Sequence, residues 1–198
     1  MSNLLVDYIG SINVSADQIN ESMAQNNGKV IVSGVMQRGN AFNQNQRKYP
    51  IDILKRESQK YKNVYIAENR ALGELDHPES SVVNLANVSH NVLDLWWDDQ
   101  NLMGKIEILS TPSGNIAKEL LKSGIRLGIS SRGMGSVKNL GEGKVEVQDD
   151  FEIVCWDLVS NPSTQGAFMD KLNESVATKM SSKQSTINSL ISDIISIM

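Results

Sequence analysis

At 198 residues, with 40% apolar residues and a formal net charge of −4, the chain is the size of one ordinary domain with tails and can bury a core unaided. The acidic balance gives no electrostatic footprint for nucleic acid or an anionic membrane, which argues against both as partners. The single Cys155 cannot form an internal disulfide, no apolar run reaches the roughly 20 residues that cross a bilayer, and the N-terminus lacks an export signal; a soluble chain in a reducing compartment is expected.

Residues 11–28 are rich in Ser, Asn, Gln and Asp, and read as a loop or weakly ordered stretch, so 1–28 is expected to be a polar lead-in and the folded unit to begin near Lys29. Lys29 to Gln37 clusters Val, Ile and Met as a strand does. After the polar loop 43–50, Pro50 opens a predicted helix over Ile51 to Tyr61. From Ser81 to Leu109 the pattern is a hairpin, with its polar tip at Asp98-Asp99-Gln100-Asn101. Asn115 to Lys122 carries Ile116, Leu120 and Leu121 on one helical face, and Ile125 to Ile129 returns to strand. Gly128-Ile129-Ser130-Ser131-Arg132-Gly133-Met134-Gly135-Ser136 then reads as a glycine-punctuated turn. Leu140-Gly141-Glu142-Gly143 reads as a hairpin turn, and Val145 to Ser160 supplies one or two more strands. The sum is a mostly β fold with flanking helices, an α+β domain over 29–169.

Beyond Met169 the chain changes character. A polar linker leads to Ile187, Leu190, Ile191, Ile194, Ile195 and Met198, one apolar helical stripe within 170–198. The stripe needs a partner, which is its own domain, another protein or a second copy. Its Ser-rich opposite face lacks the Lys and Arg that membranes select.

The chemistry-bearing residues are few. A serine becomes a nucleophile at neutral pH when a base takes its proton, and the chain has only two histidines. His77, in Leu72-Gly73-Glu74-Leu75-Asp76-His77-Pro78, precedes a proline that holds it extended in a loop. His90 looks like a packed or surface histidine in a strand. Ser130 is the candidate nucleophile, and the amides of Ser131, Arg132 and Gly133 are candidate oxyanion donors, since glycines let a turn present backbone N–H groups. Arg132 reads either as a solvated turn cation or as a residue facing the oxyanion through its amide or its guanidinium. For the group orienting His77, Asp157 is preferred, because a carboxylate near the end of an apolar strand is costly without a partner. Glu152 and Asp150 are the alternatives. Strand alternation puts Glu152 and Asp157 on opposite faces, so at most one of them points into the site.

Asn43-x-Asn45-x-Arg47-x-Tyr49-Pro50, Leu72-Gly73-Glu74-Leu75-x-His77-Pro78, Trp96-Trp97, Gly128-x-Ser130-Ser131-Arg132-Gly133-x-Gly135-Ser136 and Asp157-x-Val159-x-x-Pro162-Ser163, in that order, resemble the prohead core protease family of large contractile-tailed bacteriophages. The resemblance implies a β-barrel surrounded by helices, similar to the herpesvirus assembly proteases. It also implies a serine endopeptidase of the immature viral head that degrades scaffold and trims capsid proteins. The family nucleophile falls on Ser130 and its histidine on His77. The third member is a histidine in the herpesvirus enzymes, but no histidine follows Ser130 here, so a carboxylate or a bare dyad must serve. Implied too are a prohead-interior location, assembly in the host cytoplasm, a precursor form and no metal or organic cofactor.

Family members cut after a glutamate that follows a hydrophobic residue two positions earlier. Ile19-Asn20-Glu21-Ser22 and Leu172-Asn173-Glu174-Ser175 fit this pattern, lie in polar segments and are expected self-cleavage sites. A removable terminal helix would bind scaffold, cover the active site or make a homo-oligomer. The competing reading is a non-enzymatic capsid or tail-tube-like β-barrel in which Ser130 and His77 never meet. An esterase is disfavoured, since Arg132 stands where a Gly-x-Ser-x-Gly elbow needs its second glycine.

Overall fold

A computed structural model describes residues 3–12, 15–78, 80–160 and 168–169. In chain order its elements are β1 (Asn3–Ile12), α1 (Ala16–Gln25), β2 (Val30–Arg38), β3 (Arg47–Lys48), α2 (Ile51–Tyr61), β4 (Leu72–Glu74), β5 (Val88–Asp98), β6 (Asn101–Ile108), α3 (Pro112–Lys122), β7 (Leu127–Gly135), β8 (Val137–Gly141), β9 (Lys144–Val147), β10 (Glu152–Val159) and β11 (Phe168–Met169). The elements with strong local signals fall where the sequence puts them. α2 starts after Pro50, β5 and β6 form the expected hairpin, and Thr111 caps α3 by accepting from the Gly114 amide. Residues 141–143 all have positive φ in the tight β8–β9 turn.

The strands form a four-stranded sheet of order β10-β7-β1-β11, a second of order β2-β6-β5-β4 and a small third of order β3-β9-β8. The two larger sheets meet where β4 runs into β10, through the single bridge Leu75 to Leu158 and the Asp76 amide donating to the Leu158 carbonyl at 2.7 Å. Among the described residues no continuous ladder closes them, so the expected barrel is replaced by packed open sheets. The core between them holds Val30, Met36, Ile106, Ile129, Phe151 and Trp156. The helices cover it: Ile19 of α1, Leu54 of α2 and Leu121 of α3 are fully buried, and Tyr61 meets Trp156 edge-to-face at 4.9 Å.

The structure corrects the reading of residues 1–28 as a lead-in. β1 is an interior strand, antiparallel to β7 along its length and parallel to β11. α1 begins at a capping box in which Ser15 and Gln18 exchange side-chain-to-backbone bonds. Glu21 and Ser22 therefore lie in a helix. Ser22 is buried, its Oγ accepting from the Ile31 amide at 3.0 Å and donating to the Ile31 carbonyl at 3.2 Å. A protease needs an extended substrate, so cutting after Glu21 would require α1 to unfold.

The polar loop before α2 explains how β1 is held. Asn45, Arg47 and Tyr49, at alternate positions, converge on the buried Asp7 carboxylate: Asn45 donates at 2.8 Å, Arg47 at 2.7 Å, and the Tyr49 hydroxyl makes a short bond to Oδ2. Asn43 shapes the turn by accepting from the amides of Asn45 and Arg47. A buried carboxylate is tolerable only when paired and hydrogen-bonded, so this loop and β1 need each other.

Candidate active site

The site lies on the face of the β10-β7-β1-β11 sheet that meets the end of β4. Ser130 on β7 stands directly across from Asp157 on β10, so both side chains share that face. His77 arrives from the loop after β4. Its Nε2 is 2.6 Å from Ser130 Oγ and its Nδ1 is 2.8 Å from Asp157 Oδ2. Since a carboxylate only accepts, Nδ1 carries the proton and Nε2 is left to accept from the serine hydroxyl.

Asp157 is the hub. Its Oδ1 accepts from the Glu74 amide at 2.9 Å and from Arg132 Nη2 at 3.1 Å, and its Oδ2 lies 2.6 Å from Arg132 Nε. The approaches of His77 Nδ1 and Arg132 Nε to Oδ2 are off the line of an ideal hydrogen bond. Burial pushes the Asp157 carboxyl up, but the bond from His77 and the Arg132 guanidinium outweigh it and hold the group below its ordinary value of 3.8. The alternatives to Asp157 sit elsewhere. Glu152 is exposed and pairs with Lys60 at 2.6 Å, and exposed Asp150 accepts from the amide and hydroxyl of Ser136.

A model of the family described as prohead core protein serine protease matches residues 9–177. The chain belongs to that family. A relative, the prohead core protein protease of Enterobacteria phage T4, is 30% identical over 142 residues, which cover 70% of this chain and 66% of the relative's length. This chain thus spans just under two thirds of that relative. A solved structure of the bacteriophage T4 capsid assembly protease matches with a TM-score of 0.69 and 22% identity, covering 81% of this chain and 99% of that one, a likeness of fold.

Against this family background, two sequence expectations need correction. The glycine-punctuated stretch is not a turn: Gly128 to Gly135 belong to β7, paired with β1 on one side and β10 on the other. Ser131, Arg132 and Gly133 therefore direct their amides into neighbouring strands rather than toward an oxyanion. Nor is Arg132 a solvated turn cation. It is fully buried, bonded to Asp157, to Glu74 Oε1 at 2.7 Å and to the Ser80 carbonyl at 2.7 Å. The glycines serve close approach. A Cβ on Gly133 would stand 2.3 Å from the Phe151 ring, and one on Gly73 would stand 2.0 Å from the Trp156 carbonyl oxygen and 2.3 Å from His90 Nε2.

Glu74, quoted above only within the run that leads to His77 and given no role there, is fully buried against Arg132. Its position in the apolar Leu72-Gly73-Glu74-Leu75 run was a usable signal, since a carboxylate there needs a partner. His90 is packed, as expected. Its Nε2 donates to the Trp156 carbonyl at 3.0 Å, which leaves Nδ1 to accept from the Ser89 hydroxyl at 2.9 Å.

Burial, against the smaller pull of Asp157, lowers His90 from 6.5 to about 4. Between those two values the unfolded chain binds a proton that the native state refuses. Stability therefore falls as pH drops from about 6.5 to 4, by about 3 kcal/mol from this group. Urea unfolding at the two pH values should show that increment in the native chain and lack it in His90→Gln. An equal pH dependence in both proteins would contradict the assignment.

Proposed function

We propose that this protein is a serine endopeptidase of the phage prohead interior, assembled in the host cytoplasm, that digests scaffold and trims capsid proteins with Ser130 as nucleophile, His77 as base and Asp157 as the orienting acid. The observation that carries this reading is the continuous Ser130–His77–Asp157 chain, at 2.6 Å and 2.8 Å. A structural capsid protein has no use for it. Ser130 Oγ attacks the scissile carbonyl carbon as its proton passes to His77 Nε2, and Asp157 holds the imidazolium. The tetrahedral adduct collapses when His77 returns that proton to the departing amine. Water, activated the same way, then frees the acyl group from Ser130.

Substrates are cut after Glu in Leu-x-Glu or Ile-x-Glu, and the chain is a precursor that cuts itself after Glu174, removing residues 175–198 with Ser175 at their head. That site and the terminal apolar stripe, with its proposed role in scaffold binding or homo-oligomer formation, lie outside the described residues. Support for the reading comes from family membership together with the spacing of three residue types that acyl transfer requires.

A fluorophosphonate tests it. The reagent should add once, on the peptide carrying Ser130, and His77→Ala should abolish the adduct. Labelling elsewhere, or labelling indifferent to His77, would refute the proposed roles.

A further inference from the structure

The buried Arg132–Glu74 pair beside Asp157 has no role in the acyl-transfer steps. Arg132 puts three of its nitrogens to use: Nε and Nη2 face Asp157, Nη2 also reaches Glu74 Oε1, and Nη1 donates to the Ser80 carbonyl. Glu74 Oε1 in turn accepts from the Asn84 amide at 3.0 Å. The segment bearing His77 is thereby fastened on both sides of the histidine, at residues 74 and 84 and again at Ser80. Both side chains of the pair are fully inaccessible to solvent, so the contacts act where water screens little.

The charges at the site have to be counted together. A guanidinium bonded to Asp157 would by itself cancel the negative charge on which a histidine base relies. Glu74 restores it, because two carboxylates and one guanidinium leave a single net negative charge next to His77. Resting on the triad assignment, we propose that Arg132 and Glu74 are positioning residues for catalysis: Arg132 fixes Asp157 and the His77 loop in place, and Glu74 offsets the guanidinium so that the acid keeps its charge for the imidazolium. Other groups line the site. Ser130 of β7 meets His77 and Asp76 accepts the His77 amide from the loop itself, while Cys155 of β10 and His90 of β5 bear on Asp157 rather than on His77. Glu74 and Arg132 can be neutralised together without altering the net charge at the site and without touching Asp157.

The test is the pH dependence of the rate at which a fluorophosphonate acylates Ser130, read by intact mass on the full chain. Glu74→Gln keeps the shape and an acceptor for Asn84 but leaves Arg132 uncompensated. The acid limb of its rate profile should move about one pH unit lower, because the imidazolium has lost an attracting charge. Glu74→Gln combined with Arg132→Gln restores the single negative charge, and the limb should return to its native position although the rate stays reduced. A packing role alone would not move the limb back. A native limb in Glu74→Gln, or a double variant that keeps the shifted limb, would overturn the proposal.

If the double variant does not fold, Arg132→Lys decides. It keeps the charge but cannot reach all three partners, so a rate about tenfold lower with an unmoved limb is expected, and a native rate overturns the proposal. Failure of the triad assignment looks different, as the native chain would then not be labelled at Ser130, or His77→Ala would label normally. Either result would take this proposal down with it.

Discussion

Ser130→Ala should reduce peptide-bond cleavage by about 10⁴-fold or more, while Ser131→Ala should stay within a few-fold of the native rate. Adjacent strand residues point to opposite faces, so only one serine of the pair can approach His77. Ser130 does so at 2.6 Å, directly across from Asp157. Ser131 points the other way, opposite Asp7 and Trp156, and its buried hydroxyl makes no hydrogen bond to a described side chain or backbone group. Alanine at 131 removes an oxygen that contributes little, whereas alanine at 130 removes the proposed attacking atom. Cleavage of a peptide containing Leu-x-Glu, followed by chromatography, gives both numbers. Comparable losses in the two variants would mean that the face assignment, and with it the nucleophile, is wrong.

Asp157→Asn should lower kcat by about 10⁴-fold with little change in KM. The replacement keeps an oxygen for the Glu74 amide at the Oδ1 position but turns an NH₂ group toward His77 Nδ1 and Arg132 Nε, where only an acceptor suits both donors. His77 must then present Nδ1 as acceptor and carry its proton on Nε2, which is the wrong tautomer for taking the Ser130 proton. The same substitution has a signature in folding. The Asp157 value in the native chain lies below its ordinary 3.8, so its contribution to stability is complete above about pH 4 and is lost as pH falls through the depressed native value. The variant should lack that acid-labile part, which denaturant titrations at pH 5 and pH 3 would measure. Retention of kcat within tenfold would remove Asp157 from the mechanism.

What the sequence disclosed depended on how local its signals were. Pro50 at the start of α2, the polar tip between β5 and β6 and the run of positive-φ residues at 141–143 each act within a few residues, and each was readable. β1 was not, because Asn3 to Ile12 becomes a strand through pairing with β7, more than a hundred residues away, and through an Asp7 carboxylate neutralised by the 43–49 loop. α1 did carry a local signal, the Ser15-x-x-Gln18 capping box, which polar composition masked. The glycines around Ser130 misled for a physical reason. Glycine marks turns by its dihedral freedom, but at Gly133 it is present because the Phe151 ring leaves no room for a Cβ. Ser130, His77 and Asp157 were each visible as residues, whereas the Arg132–Glu74 pair exists only once β4 and β7 are brought together.

The place of β1 also bears on when such an enzyme can come into being. The strand that carries Ser130 takes one neighbour from residues 3–12 and the other from residues 152–159, which the ribosome adds well over a hundred residues later. At roughly 5–20 residues per second, the first strand waits on the order of ten seconds for the partner it flanks. Pairings so distant in sequence form slowly even then. A chain still being translated therefore lacks the strand pairing that brings Ser130, His77 and Asp157 together, and on the proposed roles it should not cut the proteins being made beside it.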